Sequence, residues 1–418
     1  MKFTRVFAFM ALAGLAGSAH ATNGYFSHGY GMKAKGMAGA ATASSDDAFG
    51  GANNPASMAF AGNRLDLGVD LFSPRREASN VGGAVNGTSD SESKYFLIPE
   101  IGYNHMVNTD LALGVTVYGN GGMNTNYKAL GGAFGNTNLL GGQGKLGVDL
   151  MQLIVAPTAA YKIAPNHSIG ISPLIGYQRF KAYGIEGFGA ISSSSANLTN
   201  NGYDGSFGYG VRIGYMGKIT STVTIGAAYA SKMNFQEFDS YKGLFAEQGD
   251  FDIPENYNLG VAWQATPAVK LALDYQRINF GKVASVGNPS SNYALGGLLG
   301  LDNGAGFGWS NVNVWKLGTE YKYSQKLTLR AGYSHSDNPI NGSDTAEATF
   351  NILAPAVIKD TATLGFTYTL ASGNELTMAY MHAFKNDVSG ARPAGFGGGT
   401  DTIKMYQNSL GIAYSWKM

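Results

Sequence analysis

From Arg64 to the C-terminus, apolar and polar residues alternate in short segments. In the first, Leu65, Leu67, Val69 and Leu71 share one face and Asp66 and Asp70 the other. Successive strand side chains point to opposite faces, so such a segment reads as a strand with one apolar and one polar surface. The pattern recurs through Tyr95, Leu97, Pro99, Ile101 and Tyr103, then Leu111 to Val117, Met151 to Tyr161, Ile169 to Tyr177 and Phe207 to Tyr215. Eight more segments centre on Ile225, Val261, Leu273, Leu317, Leu329, Phe366, Tyr380 and Ile412, making fourteen. The connections alternate in length. Short ones include Val107 to Thr109, Ala164 to Asn166 and Gly217 to Ser221. Long ones run roughly from Pro74 to Ser93, Asn120 to Leu146, Ala182 to Asp204, Phe235 to Asp250, Gly281 to Ser310, Asp337 to Lys359 and Asn386 to Thr402. This rhythm predicts an all-β fold: a transmembrane antiparallel β-barrel of about fourteen strands over residues 64–418, with short periplasmic turns and long extracellular loops. Tyrosines recur at segment ends, as aromatic girdles at the lipid–water boundary require.

Composition supports the membrane reading. Only 14% of residues are charged, against about 25% in soluble domains. Glycine accounts for 60 of 418 residues, about twice its usual share of ~7%. Residues 1–21 have the order of an export signal: Lys2 and Arg5, an apolar stretch from Val6 to Gly17, then Ala19-His20-Ala21. Beyond them no apolar run reaches the ~20 residues of a membrane helix. Cysteine is absent, which excludes disulfides and thiol chemistry. Removing Lys2 and Arg5 from the 29 basic residues leaves 27 against 28 acidic, so no basic footprint points to nucleic acid.

Residues 22–63 do not alternate. They are rich in Gly and Ala, too apolar for a convincing linker, and lie before the first strand, on the short-turn side. A barrel of this size has room inside, so the segment is expected to plug the lumen as a hatch; the alternative is a disordered tail.

Strand three ends Tyr118-Gly-Asn-Gly-Gly-Met123. Gly119, Gly121 and Gly122 interrupt strand pairing, either as a kink that opens the wall or as an ordinary exit into a loop. In the fourth long loop Phe235, Phe238, Tyr241, Leu244 and Phe245 lie three to four apart, which predicts an amphipathic helix. Its apolar face suits capture of a hydrophobic solute, or packing of the loops on one another. Ile185, Phe188 and Ile191 adjoin it, and Leu295, Leu298, Leu299 and Leu301 form a similar patch. Asp66, Asp70, Glu100, Arg212, Asp274, Glu320 and Arg330 fall in the lumen-facing phase and are expected to pair and tie the plug to the wall. Arg179 falls in the lipid-facing phase at the loop end of strand five; turned inward there, it could grip a carboxylate.

Catalysis finds little support. His28, His105, His167, His335 and His382 are scattered without metal-ligand spacing. No local signature marks a nucleophile. The Gly-Lys of Gly214 to Thr220 crosses a strand end and tight turn, not a phosphate loop. No enzyme activity, metal or cofactor is expected.

The hatch carries a family resemblance. Gly29-Tyr-Gly31, Lys35-Gly-Met-Ala-Gly39-Ala, Asp46-Asp47-Ala48 and Asn53-Asn54-Pro55-Ala56 resemble the N-terminal hatch of the FadL/TodX family of outer-membrane transporters for hydrophobic compounds. The likeness continues at Ile98-Pro-Glu-Ile-Gly-Tyr103, Gly249-Asp-Phe-Asp-Ile-Pro254, Leu317-Gly-Thr-Glu-Tyr321 and Leu327-Thr-Leu-Arg-Ala-Gly-Tyr333. The ending Trp416-Lys-Met418 departs from the terminal aromatic common in such barrels. The resemblance implies a bacterial outer-membrane location, capture among the loops at residues such as Ile185, Phe188, Phe235, Phe238, Leu244 and Phe245, and a lumen pocket. It further implies a hatch (Gly29, Gly31, Asn54, Pro55, Ala56) that shifts, and a sideways exit at a kink in strand three. Partners would be hydrophobic small molecules, long-chain fatty acids first, together with the surrounding outer-membrane lipid and lipopolysaccharide; one barrel suffices as a monomer. Aromatic hydrocarbons or alkanes, or general porin activity, are the alternatives. An apolar path makes physical sense, because an aqueous channel offers an apolar solute no favourable route. An apolar pocket separates such solutes only weakly.

Overall fold

The structure, a computed structural model, describes residues 23–340, 342 and 344–418. The expected export signal over residues 1–21 lies outside the described residues. Fourteen strands form the wall: β1 (Arg64–Val81), β2 (Phe96–Met106), β3 (Leu111–Asn124), β4 (Gly147–Ala164), β5 (His167–Tyr183), β6 (Asp204–Lys218) and β7 (Val223–Ala230). They continue with β8 (Asn256–Gln264), β9 (Val269–Ile278), β10 (Val312–Lys322), β11 (Leu327–Ser336), β12 (Asp360–Thr369), β13 (Glu375–Ala391) and β14 (Thr400–Lys417). Neighbours in sequence pair antiparallel, and β14 returns to β1 from Arg64↔Lys417 to Val81↔Thr400, which closes the barrel. Two short ribbons, Gly87–Asp90 and Asn234–Phe235, add to β1 and β6 among the loops.

The faces fall as the alternation predicts. Leu71, Leu97, Leu113, Ile171, Leu259, Leu317 and Leu410 are exposed on the outside, while Asp66, Asp70, Glu100, Asp274, Glu320 and Arg330 are buried inside. The strands at the barrel seam run further toward the loops than expected. The first connection begins at Gly82, not Pro74, because β1 and β14 remain paired to Val81↔Thr400. The outward residues there (Arg75, Glu77, Lys404) are polar; above the membrane a paired strand no longer needs an apolar outer face. β3 likewise reaches Asn124 and β13 reaches Ala391.

The amphipathic helix expected over Phe235 to Phe245 does not form. Phe235 lies in the short ribbon on β6, Asp239–Tyr241 is a single 3-10 turn, and Ala246–Gly249 is one turn in which Glu247 and Gln248 depart from helical geometry. The backbone is held from outside instead: Met233 bridges Ile253, and Phe235 N–H donates to the Asp252 carboxylate at 2.7 Å. The three-to-four spacing reflects side chains converging on one cluster.

Residues 23–63 fill the lumen. They carry one α-helical turn, α1 (Met32–Lys35), and a 3-10 turn over Pro55–Phe60. Lys35 pairs with Asp70 at 3.0 Å and Glu100 at 3.5 Å, and Lys33 with Glu375 at 2.7 Å. The Asp274 carboxylate accepts from Ala41 and Thr42 N–H at 2.9 and 2.8 Å. Arg212 donates to the Gly51 carbonyl at 2.8 Å and to the Ala52 carbonyl. Asp66 accepts from Ala48 N–H at 2.7 Å. Each of these lumen charges thus meets a hatch partner, as a buried ion must.

Candidate functional site

Three features converge inside the loop end of the barrel: an apolar cluster, the N-terminal strand of the hatch and a gap in the wall. The cluster comes first. Ile185, Phe188, Phe238 and Phe245 are buried together with Phe180, Tyr241, Phe251, Phe280, Trp309 and Phe350. Phe235 and Leu244 join them at 7% and 8% exposure. The six apolar capture residues expected from the sequence therefore share one cluster. Sequence reasoning missed Phe180, Phe280, Trp309 and Phe350. Phe180 sits on the inward phase of β5, and the others lie singly in long loops, so no local period marks them. Of the leucine patch, Leu299 is buried while Leu295 stands 86% exposed at a loop tip.

The rings form an unbroken chain. Phe180 contacts Phe245 at 4.7 Å between centroids, Phe245 contacts Phe251 at 4.8 Å, Phe251 contacts Tyr25 at 5.9 Å, and Tyr25 contacts Phe26 at 5.4 Å. Ring contacts at these separations are favourable beyond the burial of area alone. The cavity among Phe180, Phe188, Leu244, Phe245, Phe307 and Phe350 is only about 20 Å³. That is too small for a hydrocarbon, so the rings are packed shut.

The gap lies where β3 leaves β2. Pairing between them stops at Ile101↔Val117. β2 stays paired with β1 as far as Phe72↔Phe96, and β3 stays paired with β4 as far as Asn124↔Asp149. The β3–β4 register shifts between Gly119 and Gly121, which marks a bulge at Asn120. The stretch Phe96 to Glu100 therefore faces the stretch Tyr118 to Asn124 across an unpaired seam. Pro99, which lacks a backbone donor, lies in that stretch.

The hatch occupies the freed edge of β3. Ser27 N–H donates to the Asn120 carbonyl at 3.1 Å, and Gly122 N–H donates to the Tyr25 carbonyl at 3.2 Å, bridging Phe26 to Gly121. A Cβ on Gly121 would lie 1.7 Å from the Tyr25 oxygen, so only glycine permits this approach. Tyr30 closes the corner, its hydroxyl 3.1 Å from the Asn120 carbonyl and its ring 4.6 Å from Tyr118.

The other hatch residues anchor the plug. Asn54 caps the 3-10 turn by accepting from Ala56 N–H at 3.1 Å, and its amide donates to the Thr42 and Tyr215 carbonyls at 2.8 and 2.9 Å. Ala56 accepts from Ser168 at 2.8 Å. Pro55 enters at paired wall glycines: a Cβ on Gly170 would meet Pro55 and Ala56 backbone at 2.4 Å. Gly31 starts α1 and donates its N–H to Glu100 at 3.1 Å; Gly29 packs on Gly39. Arg179 does not join the cluster. It keeps its outward phase, 4.5 Å over the Tyr203 ring and beside Met151.

The loop floor touches the hatch through an acidic pair. Tyr25 donates to the Asp252 carbonyl at 3.2 Å. The Asp252 carboxylate pairs with Lys232 at 2.5 Å. Burial and the neighbouring Asp252 carboxylate push the Asp250 carboxyl up to about 8. Between the usual carboxyl range and pH 8 the closed packing keeps a proton that an opened loop releases, so raising the pH weakens closure, and the loss is complete above about pH 8. Trp309, buried at 1% exposure and 5.9 Å from Tyr25, reports on this contact. Its emission is expected to shift to the red between pH 5 and 9 and to stay flat in Asp250→Asn. An identical shift in both proteins would refute the assignment to Asp250.

A closed β-barrel plugged by its N-terminal segment, with an apolar loop cluster packed up to a seam in its wall, defines a plugged outer-membrane transport protein. The family model for outer membrane protein transport proteins (OMPP1/FadL/TodX) matches residues 13–411, and the chain belongs to that family. No curated relative matches by sequence. Among solved structures, the Pseudomonas putida toluene transporter TodX aligns with a TM-score of 0.70 at 17% identity, covering 94% of this chain and 99% of that one. A Pseudomonas aeruginosa FadL homologue gives 0.71 at 16%, with the same coverage. The Ralstonia pickettii toluene transporter TbuX gives 0.64 at 16%, again covering 94% and 99%. These likenesses establish a shared fold.

Proposed function

We propose that this chain takes up hydrophobic compounds passively, long-chain fatty acids first. The solute lands at the loop tips, enters the apolar cluster, and leaves sideways through the β2–β3 seam when Asn23 to Ser27 withdraws from β3. The observation that carries this reading is the continuous ring path from Phe180 to Phe26, which ends at the seam. A solute following it stays out of water throughout.

The preference for a fatty acid rests on Lys316. It is buried on the lumen side of β10, with no ion pair within 4 Å among the described residues. It borders a small polar cavity with Phe26, Tyr30, Arg212 and Gln276, which shares Phe26 with the end of the ring path. A cation so placed suits a carboxylate whose chain lies among the rings; Arg179 is on the wrong side of the wall. A charge-assisted hydrogen bond contributes ~1.5–3 kcal/mol, about ten- to hundredfold in affinity. Lys316→Met is therefore expected to cut uptake of labelled oleate about tenfold or more and to leave toluene within about twofold. Equal losses for both solutes, or none for oleate, would remove the fatty-acid assignment.

A further inference from the structure

At the loop end of β1 and β14, where these two strands close the barrel, lies a polar cavity of about 370 Å³. It is bounded by β1, β13, β14 and the first long loop. Its cations are Arg75, Arg76, Lys94, Lys385 and Lys404, against the carboxylates Glu77 and Asp90. Lys404 pairs with Glu77 at 3.0 Å. Arg75 leans on Tyr95, 4.8 Å from its ring and 2.6 Å from its hydroxyl. Arg76 donates to the Ser93 carbonyl at 2.5 Å, while its buried Nε has no partner among the described residues. Lys94 and Lys385 form no ion pair within 4 Å among the described residues. Five cations against two carboxylates leave the cavity short of negative charge.

Its depth selects the ligand. On β14, Ile412, Leu410 and Tyr406 face outward and are exposed, and Lys404 follows two residues nearer the loops. On β1, Leu71 is followed on the same face by Arg75 and Glu77. Two residues of strand rise about 6.8 Å. Tyr95, Phe384 and Tyr406 are exposed at this level and form the aromatic belt that marks the headgroup boundary. The cations therefore stand among the outer-leaflet headgroups. Arg75 and Lys404 stand on the outer face of the paired β1–β14 wall, away from the lumen, whereas Arg76 and Met405 reach the cavity from the buried, inward phase of the same strands.

We propose that this cavity binds the phosphorylated headgroup of an outer-leaflet glycolipid. Convergent Arg and Lys groups match phosphate oxygens through charge-assisted hydrogen bonds, and Tyr406, Asn408 and Ser91 border the same space. A zwitterionic headgroup would bring its own ammonium into a field that is already positive.

The test uses the whole protein, purified in non-ionic detergent and titrated with bisphosphorylated lipid A while native mass spectrometry counts bound lipid. The proposal expects one tightly held lipid A. The combined variant Arg75→Gln, Lys94→Gln, Lys385→Gln and Lys404→Gln should bind it about tenfold or more weakly. Dephosphorylated lipid A should bind the unaltered protein with a similar loss. Inorganic phosphate binding as tightly as lipid A would place a free anion there and overturn the lipid assignment. Equal binding by the variant and the unaltered protein would overturn the site itself. Heat-modifiable gel mobility checks that the variant barrel is folded. If the fourfold variant fails to insert, Lys94→Gln with Lys385→Gln reads the same loss, since neither lysine holds an ion pair.

Discussion

Removing Asn120 and replacing Gly119, Gly121 and Gly122 by Val, Thr and Val is expected to seal the wall and cut uptake about tenfold or more, with the barrel still inserted. The bulge at Asn120 takes β3 out of line, and the glycines give its edge little reason to pair. Deleting the extra residue restores the register, and β-branched residues favour the pleated edge. Each added cross-strand pair contributes ~0.2–1 kcal/mol, and the seam offers room for several, from Phe96 to Glu100 on one side. Gly121→Val alone should act in the opposite direction. The bulge stays, but the new Cβ collides with the Tyr25 carbonyl, 1.7 Å away, and drives the hatch edge off β3. The seam is then left uncovered, and uptake holds or rises. Hydrogen exchange at residues 118–122 separates the cases: newly protected amides with unchanged uptake in the sealed protein would exclude this seam as the exit.

The second large effect concerns the plug. The unaltered protein is expected to pass no steady current in a planar bilayer, and Arg212→Met together with Asp274→Ala should produce frequent ion-conducting openings. Asp274 accepts from two hatch N–H groups, and Arg212 donates to two hatch carbonyls. A hydrogen bond to a charged group contributes ~1.5–3 kcal/mol. Even at about 1 kcal/mol each after partial replacement by water, four ties shift the seated-to-released ratio by about a thousandfold. A double variant as silent as the unaltered protein would mean that the remaining ties, chiefly Lys33–Glu375 and Lys35–Asp70, seat the hatch alone.

What the sequence disclosed and what it hid divide along sequence separation. The wall was legible because its period is local: Leu65 and Asp66 announce two faces without reference to any other segment. The glycine run in β3 was legible too, but not that pairing fails toward β2 while β4 holds. That depends on β2 carrying Pro99 and on the hatch supplying Tyr25 to Ser27, nearly a hundred residues earlier in the chain. The hatch ties were half visible. Asp70, Glu100, Arg212 and Asp274 showed as charges on an inward phase, yet Lys33, Lys35 and Glu375 sit in unpatterned context, and Lys33 meets Glu375 only through the closed barrel. The loop aromatics show the opposite error. Spacing at Phe235, Phe238, Tyr241, Leu244 and Phe245 fits a helix, but tertiary pairing of Met233 with Ile253 and of Phe235 with Asp252 sets the backbone, and the rings reach the cluster from irregular turns. Arg179 kept the outward phase that its position in β5 gave it.

The most direct test of the account is uptake of labelled oleate and labelled toluene by cells that lack their own hydrophobic-compound transporter and carry this chain or an empty vector. Oleate should enter several-fold faster with the chain than without it, and Lys316→Met should remove most of that gain. Entry of neither solute, with the barrel shown to be folded in the outer membrane, would contradict it.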